Sequence, residues 1–216
     1  ASDNGASLVQ ISIIDYGLGN LYSLSNAFAH CGKEVIVTND LQQLSESDAL
    51  VLPGVGAFGD GMSRLQSLGI DKVLSSHALK DKLILGICLG MQLLLESSEE
   101  FGQHEGLGLI KGHVKYFQRI NGFEKDTRVP HIGWNEIEIT RETPLSADVN
   151  HRDMYFAHSL CAVTTNIDDT LAISSYGNIK FASVIGQGSV LGCQFHPEKS
   201  SVNGIMIIQN FINMVR

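Results

Sequence analysis

Residues 83–95, LILGICLGMQLLL, decide the fold. An apolar run typical of a buried strand leads into Gly86-Ile87-Cys88-Leu89-Gly90, and an apolar run with helical character follows. A G-x-nucleophile-x-G pentapeptide between a strand and a helix is a nucleophile elbow, which presents its central side chain at the carboxyl end of a parallel sheet. The flanking glycines let the backbone close around the strained central residue. The stretch therefore predicts an α/β protein with Cys88 as nucleophile.

The position of Cys88 before a helix favours its thiolate, because a helix N-terminus carries positive partial charge and free N–H groups. The alternative is that Cys88 is a small buried hydrophobe, which is the usual role of a free cysteine. The residues that follow in the chain must decide between these two interpretations.

Length and composition limit the class of protein. The 216 residues suit one domain over residues 8–216, after a disordered leader or remnant of cloning at residues 1–7. The formal charge of -8 argues against a nucleic-acid groove. No apolar run approaches membrane-spanning length, and the four cysteines lack a C-x-x-C or disulfide-dense pattern. We expect a cytoplasmic chain that binds neither membrane nor nucleic acid.

The first half alternates strands and helices, which implies a mostly parallel sheet flanked by helices. Strands are predicted at 8–14, 34–38, 49–52 and before Cys88, and helices at 21–31 and 57–79, the second interrupted at Gly69. Asn20 is the expected N-cap of the first helix and Gly32 its stop. Between about 107 and 194 the segments are short and β-rich, which predicts antiparallel hairpins added to the sheet. A last helix is expected over 202–214.

Gln194-Phe195-His196-Pro197-Glu198 supplies candidate partners for Cys88. Pro197 favours an extended conformation at His196, and residues i and i+2 of an extended segment point the same way. His196 and Glu198 can therefore lie side by side, as the base and the orienting carboxylate of a triad. The alternative is a surface loop with a casual His–Glu pair.

An acyl-transfer site also needs N–H donors for the developing oxyanion. The N–H of Leu89, the residue after the nucleophile, is one candidate. The segment Gly54-Val55-Gly56 follows the third predicted strand and is the candidate for the second. The alternative is an ordinary strand-ending turn.

Taken together, GICLGMQLLLESSEE, LPGVGAFG, PHIGWN, YFAHS and QFHPEKSS resemble the class I, triad-type glutamine amidotransferases. More closely, these motifs and the early DYGLGN turn are similar to the glutaminase subunits of imidazole glycerol phosphate synthase. The motifs extend over about residues 13–201, nearly the whole chain.

The resemblance implies that Cys88 attacks the side-chain amide of glutamine, His196 transfers the proton and Glu198 orients His196. It also implies that Gln92 and Glu100, with His158 and Ser159, hold the α-amino and α-carboxylate groups of the substrate. Without the resemblance, Gln92 would read as a helix-surface glutamine and Glu100 as a solvated acid.

The resemblance further implies a heterodimer partner, a (β/α)8-barrel synthase or cyclase subunit that consumes the ammonia. The chain has no metal-ligand cluster, P-loop or dinucleotide fingerprint, so we expect no cofactor and an acceptor bound by another protein. Expected interface residues are Gly19, Asn20, Trp134, Tyr155 and Lys199. The alternative for Trp134 and Tyr155 is a place in the core.

Three other functions stay open. Leu160 follows YFAHS where relatives often carry an aromatic, which leaves the partner in question. One alternative is the paralogous glutaminase that supplies ammonia for amidino groups on cell-surface sugars. The others are a stand-alone cysteine hydrolase and a non-catalytic regulatory subunit, and a glutaminase assay with and without a partner separates them.

Overall fold

The computed structural model describes residues 8–215, and its centre is an eight-stranded mixed sheet. The strands are β1 (Ile11–Ile14), β2 (Ile36–Thr38), β3 (Ala49–Leu52), β4 (Leu83–Ile87), β5 (Ser97–Ser98), β6 (His104–Glu105), β7 (Gly112–Tyr116), β8 (His131–Glu136), β9 (Glu138–Ile139), β10 (Asp153–His158), β11 (Leu160–Thr164), β12 (Thr170–Tyr176), β13 (Ile179–Gln187) and β14 (Val190–Cys193). The helices are α1 (Leu21–His30), α2 (Leu41–Glu46), α3 (Phe58–Leu68), α4 (Ile70–Leu79), α5 (Leu89–Leu93) and α6 (Ser201–Met214).

The parallel part of the sheet runs in the order β2-β1-β3-β4-β14. Its strands are apolar on both faces because helices cover both faces. On one face, residues of α1 and α6 such as Phe28 and Phe211 pack against Ile11 and Ile13 of β1. On the other face, α2, α3 and α4 pack against the sheet.

The helix boundaries follow local chemistry as the sequence predicts. The Asn20 side chain accepts a hydrogen bond from the Ser23 N–H and caps α1. Gly32 has a φ of +76° and follows the end of this helix. Gly69, in the left-handed region, separates α3 from α4. Helix α2 was not predicted, because its six residues are too few for a clear apolar period.

The second half is mostly antiparallel, but the prediction of hairpins added to one sheet is only partly correct. Strands β13, β12 and β9 extend the main sheet beyond β14. Strands β8 and β10 form a separate two-stranded sheet, and β11-β7-β5-β6 form a third. Strand β7 pairs with β11, far along the chain, so this pairing depends on long-range contacts that no local turn signal records.

The elbow helix is shorter than the sequence suggests. Helix α5 has five residues, and the chain then enters β5. Its dipole is correspondingly weak, so positive charge for a thiolate must come mainly from a side chain. Within residues 8–215, no helix has the length and apolar character needed to cross a membrane. The predicted leader at 1–7 lies outside the described residues.

Candidate active site

Cys88 stands on a strained turn at the end of β4. Its φ of 55° and ψ of -112° lie in a region that side-chain-bearing residues rarely occupy. A Cβ on Gly90 would lie 1.8 Å from the Leu52 carbonyl oxygen, and one on Gly86 would lie 2.6 Å from the Gly90 oxygen. Both glycines of the pentapeptide are therefore required by close backbone packing, as the elbow motif predicts.

His196 and Glu198 lie together after β14, the strand next to β4. The two side chains are almost fully buried, and His196 Nδ1 donates to Glu198 Oε1 at 2.7 Å. The His196 N–H donates to the Tyr155 carbonyl at 3.0 Å. This contact ties the histidine to β10. The carboxylate acceptor keeps the proton on Nδ1 and leaves Nε2 for the thiol.

Three adjacent parallel strands thus deliver the site. Strand β3 leads into Gly54, β4 into Cys88, and β14 into His196. The carboxyl ends of parallel strands lie on the same edge of a sheet, where open α/β sheets place their ligand sites.

His196 is held as an imidazolium. Burial lowers the pKa of His196, but hydrogen bonds to Cys88 and Glu198 and their negative charges outweigh it and raise the pKa to about 10. The Cys88 sulfur therefore lies beside an imidazolium that the Glu198 side chain orients. Such an arrangement supplies a nucleophile and a proton donor at once.

Gln194 is a site residue that the sequence analysis missed. It is fully buried, its Nε2 lies 3.8 Å from Cys88 Sγ, and its Oε1 accepts from Gln92 Nε2 at 3.0 Å. The signal was available: residues i and i+2 of a strand end share a side, so Gln194 faces the way His196 does. Gln194 links the nucleophile to the wall of the substrate pocket.

A cavity of about 340 Å³ opens over Cys88 and His196. Its wall includes the predicted substrate residues Gln92, Glu100, His158 and Ser159. Glu100 Oε1 accepts from the Phe58 N–H at 2.7 Å at the start of α3, which fixes the carboxylate in place. A fixed carboxylate in a cavity of this size suits the α-ammonium group of an amino acid.

The ring of His158 is not free to bind a ligand. Its Nδ1 lies 2.7 Å from the Leu160 carbonyl, and its Nε2 lies 3.0 Å from His131 Nδ1. The carbonyl requires a proton on Nδ1, so Nε2 accepts from His131. Burial lowers the pKa of His158 to about 3 and that of His131 to about 4, so both rings are neutral. Any contact of His158 with substrate therefore comes from its main chain.

The predicted oxyanion residues surround the elbow. The Leu89 N–H donates to the Gly54 carbonyl at 3.3 Å. In a trans peptide the C=O and the following N–H point in opposite directions, so the Val55 N–H points away from Cys88. A Cβ on Gly54 would lie 2.3 Å from Tyr16 Oη, and Tyr16 Oη donates to the Pro53 carbonyl at 2.6 Å. Gly56 follows with a φ of +109°.

Comparison with known proteins decides the family. The model of the class I glutamine amidotransferases matches residues 12–214. The chain belongs to the class I glutamine amidotransferase family. The resemblance seen in the motifs is thus confirmed at the level of the family.

Two relatives of this amidotransferase show which members of the family it is similar to in sequence. The imidazole glycerol phosphate synthase subunit HisH of Sulfurimonas denitrificans is 46% identical over 202 residues, 93% of this chain and 96% of the relative. HisH of Bacillus subtilis is 41% identical over 204 residues, 94% of this chain and 96% of the relative. Both relatives are named as subunits of imidazole glycerol phosphate synthase, the group of proteins that the motifs resemble most closely.

Solved structures confirm the α/β fold class. A crystal structure of a glutamine amidotransferase has a TM-score of 0.71 at 17% identity, covering 95% of this chain and 98% of that one. The structure of PurLQS from Thermotoga maritima also has a TM-score of 0.71, at 19% identity, covering 96% and 99%. At these identities the likeness concerns the fold alone.

The mouth of the amidotransferase site has an exposed apolar rim. Val55 and Ile132 line the cavity and are 43% and 62% exposed, and Trp134 is 55% exposed. Trp134 pairs with Tyr155 across β8 and β10, and their rings meet edge to face at 6.2 Å. Trp134 is therefore a surface residue, not a core one. Lys199 is exposed and lines the same cavity.

Gly19, which precedes the helix cap Asn20, lies close to the oxyanion segment. A Cβ on Gly19 would lie 3.0 Å from Pro53 Cβ and 3.3 Å from the Gly54 nitrogen. The first turn of the chain therefore touches the peptide that the oxyanion site needs. A protein docked on Gly19 and Asn20 would also press on this segment.

Proposed function

We propose that this chain is the glutaminase subunit of an imidazole glycerol phosphate synthase, and that it hydrolyses glutamine to glutamate and ammonia. The observation that carries the proposal is the buried Cys88–His196–Glu198 array beneath a cavity fitted to an amino acid. The HisH relatives support the choice of synthase.

The proposed reaction uses Cys88 as nucleophile and His196 as proton donor. The Cys88 thiolate attacks the side-chain carbonyl carbon of glutamine and forms a C–S bond. The His196 imidazolium gives its Nε2 proton to the amide nitrogen, the C–N bond breaks, and ammonia leaves a thioester. Neutral His196 then takes a proton from water, whose oxygen attacks the thioester carbon. Glutamate leaves, and the thiolate and the imidazolium are restored.

Substrate orientation comes from the cavity walls. Glu100 is anchored by the N-terminus of α3 and pairs with the α-ammonium group. The main chain at His158 and Ser159 contacts the α-carboxylate, and Gln92 borders the side chain that reacts. Gln92 is itself fixed by Gln194 and by the Leu160 carbonyl. These contacts hold the amide carbon over Cys88.

The oxyanion arrangement supports gating by a partner. The Leu89 N–H donates to the Gly54 carbonyl, so this oxyanion donor is occupied, and the Val55 N–H points away from Cys88. The loss of a single oxyanion donor already costs roughly 10²–10³ in rate, and in this arrangement neither donor is available. Rotation of the Gly54–Val55 peptide would release Leu89 and present Val55. The isolated subunit is then nearly idle, and a partner that favours the rotated peptide turns it on.

The partner in this proposal is a (β/α)8-barrel synthase or cyclase subunit that docks over the mouth of the site. Ammonia released into water would be protonated, so its release must be enclosed. The exposed apolar rim of Val55, Ile132 and Trp134 offers a surface for such a cover. Lys199 lines the same opening, and we assign Tyr155, Gly19 and Asn20 to the same interface. A heterodimer in the cytoplasm is the expected assembly.

The test is glutaminase turnover of the full chain alone, with the barrel subunit, and with the barrel subunit plus its phosphorylated acceptor. We expect turnover to rise roughly 10²-fold or more from the first condition to the last, matching a restored oxyanion donor. Cys88→Ser with the same partner is the control and should stay inactive. Full activity of the isolated chain, unchanged by the partner, would revive the stand-alone hydrolase.

A further inference from the structure

A second cavity lies away from the amidotransferase site. It measures about 700 Å³ and lies between β11 and the β12–β13 hairpin. None of its lining residues lines the cavity over Cys88. Its volume is within the range of small-molecule sites in proteins. The proposed glutaminase reaction gives this cavity no role.

The charge of the second cavity is opposite to that of the chain. Its lining includes Lys115, Arg119, Arg141 and Lys180, four of the 15 basic residues, and Asp168, one of the 23 acidic residues. The whole chain has a net charge of -8. A concave surface lined mainly by one sign of charge focuses the field and concentrates the opposite ion. With four basic residues and one acidic residue in its lining, the cavity therefore favours anions on a chain whose net charge is negative.

The two arginines are held in place and the two lysines are not. Arg119 Nη1 pairs with Glu99 Oε2 at 3.1 Å, and Arg141 Nη1 donates to the Asp168 carbonyl at 3.1 Å. Within residues 8–215, Lys115 and Lys180 make no ion pair. Their ammonium groups remain available to a ligand, and lysine is a common point-charge partner for phosphate.

The interior of the second cavity is apolar. Phe181, Ile173, Ile179 and Val163 contribute hydrocarbon surface, and Ile167 is 78% exposed at the rim. Strand β11 borders the cavity along Cys161–Thr164 and pairs with β7 on one side only. Its other edge can offer backbone hydrogen bonds. Apolar walls, a few polar groups and a cationic rim together suit a flat apolar body that carries an anionic group.

We propose that this second cavity is a binding site for a phosphorylated small molecule with a flat ring system, of the class of a nucleoside monophosphate. Lys115 and Lys180 contact the phosphate, and the ring rests on the surface formed by Val163, Ile173 and Phe181. The site is distinct from the glutamine pocket, so glutamine and this ligand bind independently.

Adenosine 5′-monophosphate is the probe, with adenosine and inorganic phosphate as its two halves. Calorimetry on the full-length Cys88→Ser chain should give binding of the whole probe at least tenfold tighter than either half. In Lys115→Glu/Lys180→Glu the affinity should fall at least tenfold. Lys72→Glu is the control, because Lys72 is exposed on α4 and its substitution makes the same charge change as each of the two substitutions in the double variant. Its affinity should match that of the parent.

Two further measurements locate the ligand. Amide NMR shifts should cluster on β11 and β13, and saturating glutamine should not displace the probe. Ile167→Ser should weaken the monophosphate and leave inorganic phosphate unaffected. The proposal is overturned if no binding is detected at 10 mM probe. The dissociation constant would then exceed 10 mM, which corresponds to a binding free energy weaker than roughly 3 kcal/mol. It is equally overturned if Lys72→Glu reduces binding as much as the double variant, or if glutamine competes.

Discussion

At the scale of single residues, Glu198 sets the charge state of His196. Its carboxylate is one of the groups that raise the pKa of His196 to about 10, against the lowering effect of burial. The imidazolium must donate a proton to the departing amide nitrogen, so glutaminase activity should decline as pH rises through about 10. Glu198→Gln removes the charge, lowers the pKa of His196, and should move this alkaline limb of kcat/KM to lower pH.

The same pair of residues should differ in importance. An orienting carboxylate contributes less than the base it orients, so Glu198→Gln should lose less activity than His196→Asn. Single-turnover rates with the activating partner measure both losses. The opposite ranking, or an alkaline limb that stays in place in Glu198→Gln, would contradict the assigned roles.

Gln194 is predicted to stabilise the thiolate and the substrate wall. Gln194→Leu removes the donor to Cys88 and the acceptor for Gln92, and should lower kcat/KM roughly tenfold to a hundredfold, as expected for a hydrogen bond to a charged group. Gln194→Glu keeps the shape but places a negative charge beside the sulfur, so it should lose more. Alkylation of Cys88 by iodoacetamide should slow in the same order. Equal alkylation rates in the parent and in both variants would show that Gln194 does not act on Cys88.

At the residue scale, the placement of side chains was predictable from sequence where a short motif fixes the geometry. The elbow placed Cys88, and the alternation in an extended segment placed His196 beside Glu198. The same alternation should have identified Gln194. The inward ring of His158 was not predictable, because its partner His131 lies on another strand.

At the scale of elements, the oxyanion segment is fitted against the turn after β1. A methyl group on Gly54 would collide with Tyr16 Oη and press on Leu89. Gly54→Ala should therefore displace the segment and reduce partner-activated turnover by roughly 10². Tyr16→Phe alone should cost much less, and the double variant should recover part of the loss. Additive losses in the cycle would mean that this collision does not position the segment.

Elements of the first half were predictable because each βα unit carries its own apolar period and caps, as Asn20 and Gly69 illustrate. The second half was not, because the partition of its strands into three sheets depends on pairings such as β7 with β11. The length of α5 was overestimated since the apolar run 91–95 continues into β5 without a stop signal.

At the scale of the whole molecule, the buried histidines should control how stability depends on pH. The folded-state pKa of His131 is lowered to about 4 and that of His158 to about 3, while an unfolded histidine titrates near 6.5. Below pH 6.5 these two histidines bind protons in the unfolded chain but remain neutral in the folded chain. The folded pKa of His196 is instead raised to about 10, so its stabilisation is fully present below 6.5 and is lost as pH rises through about 10.

The free energy of unfolding should therefore peak near pH 6.5 and fall towards pH 4, by about 1.4 kcal/mol per pH unit for each histidine charged only in the unfolded chain. Urea denaturation followed by circular dichroism between pH 4 and 9 measures this slope. His131→Gln has no charge at any of these pH values and should remove about one histidine's share of the acid slope. His30→Gln is the matched control, because solvent reaches this exposed ring in both states. If the acid slope is identical in the parent and in His131→Gln, His131 is protonated in the folded protein. That result would contradict the assignment of neutral rings to the hydrogen-bonded series His131, His158 and the Leu160 carbonyl.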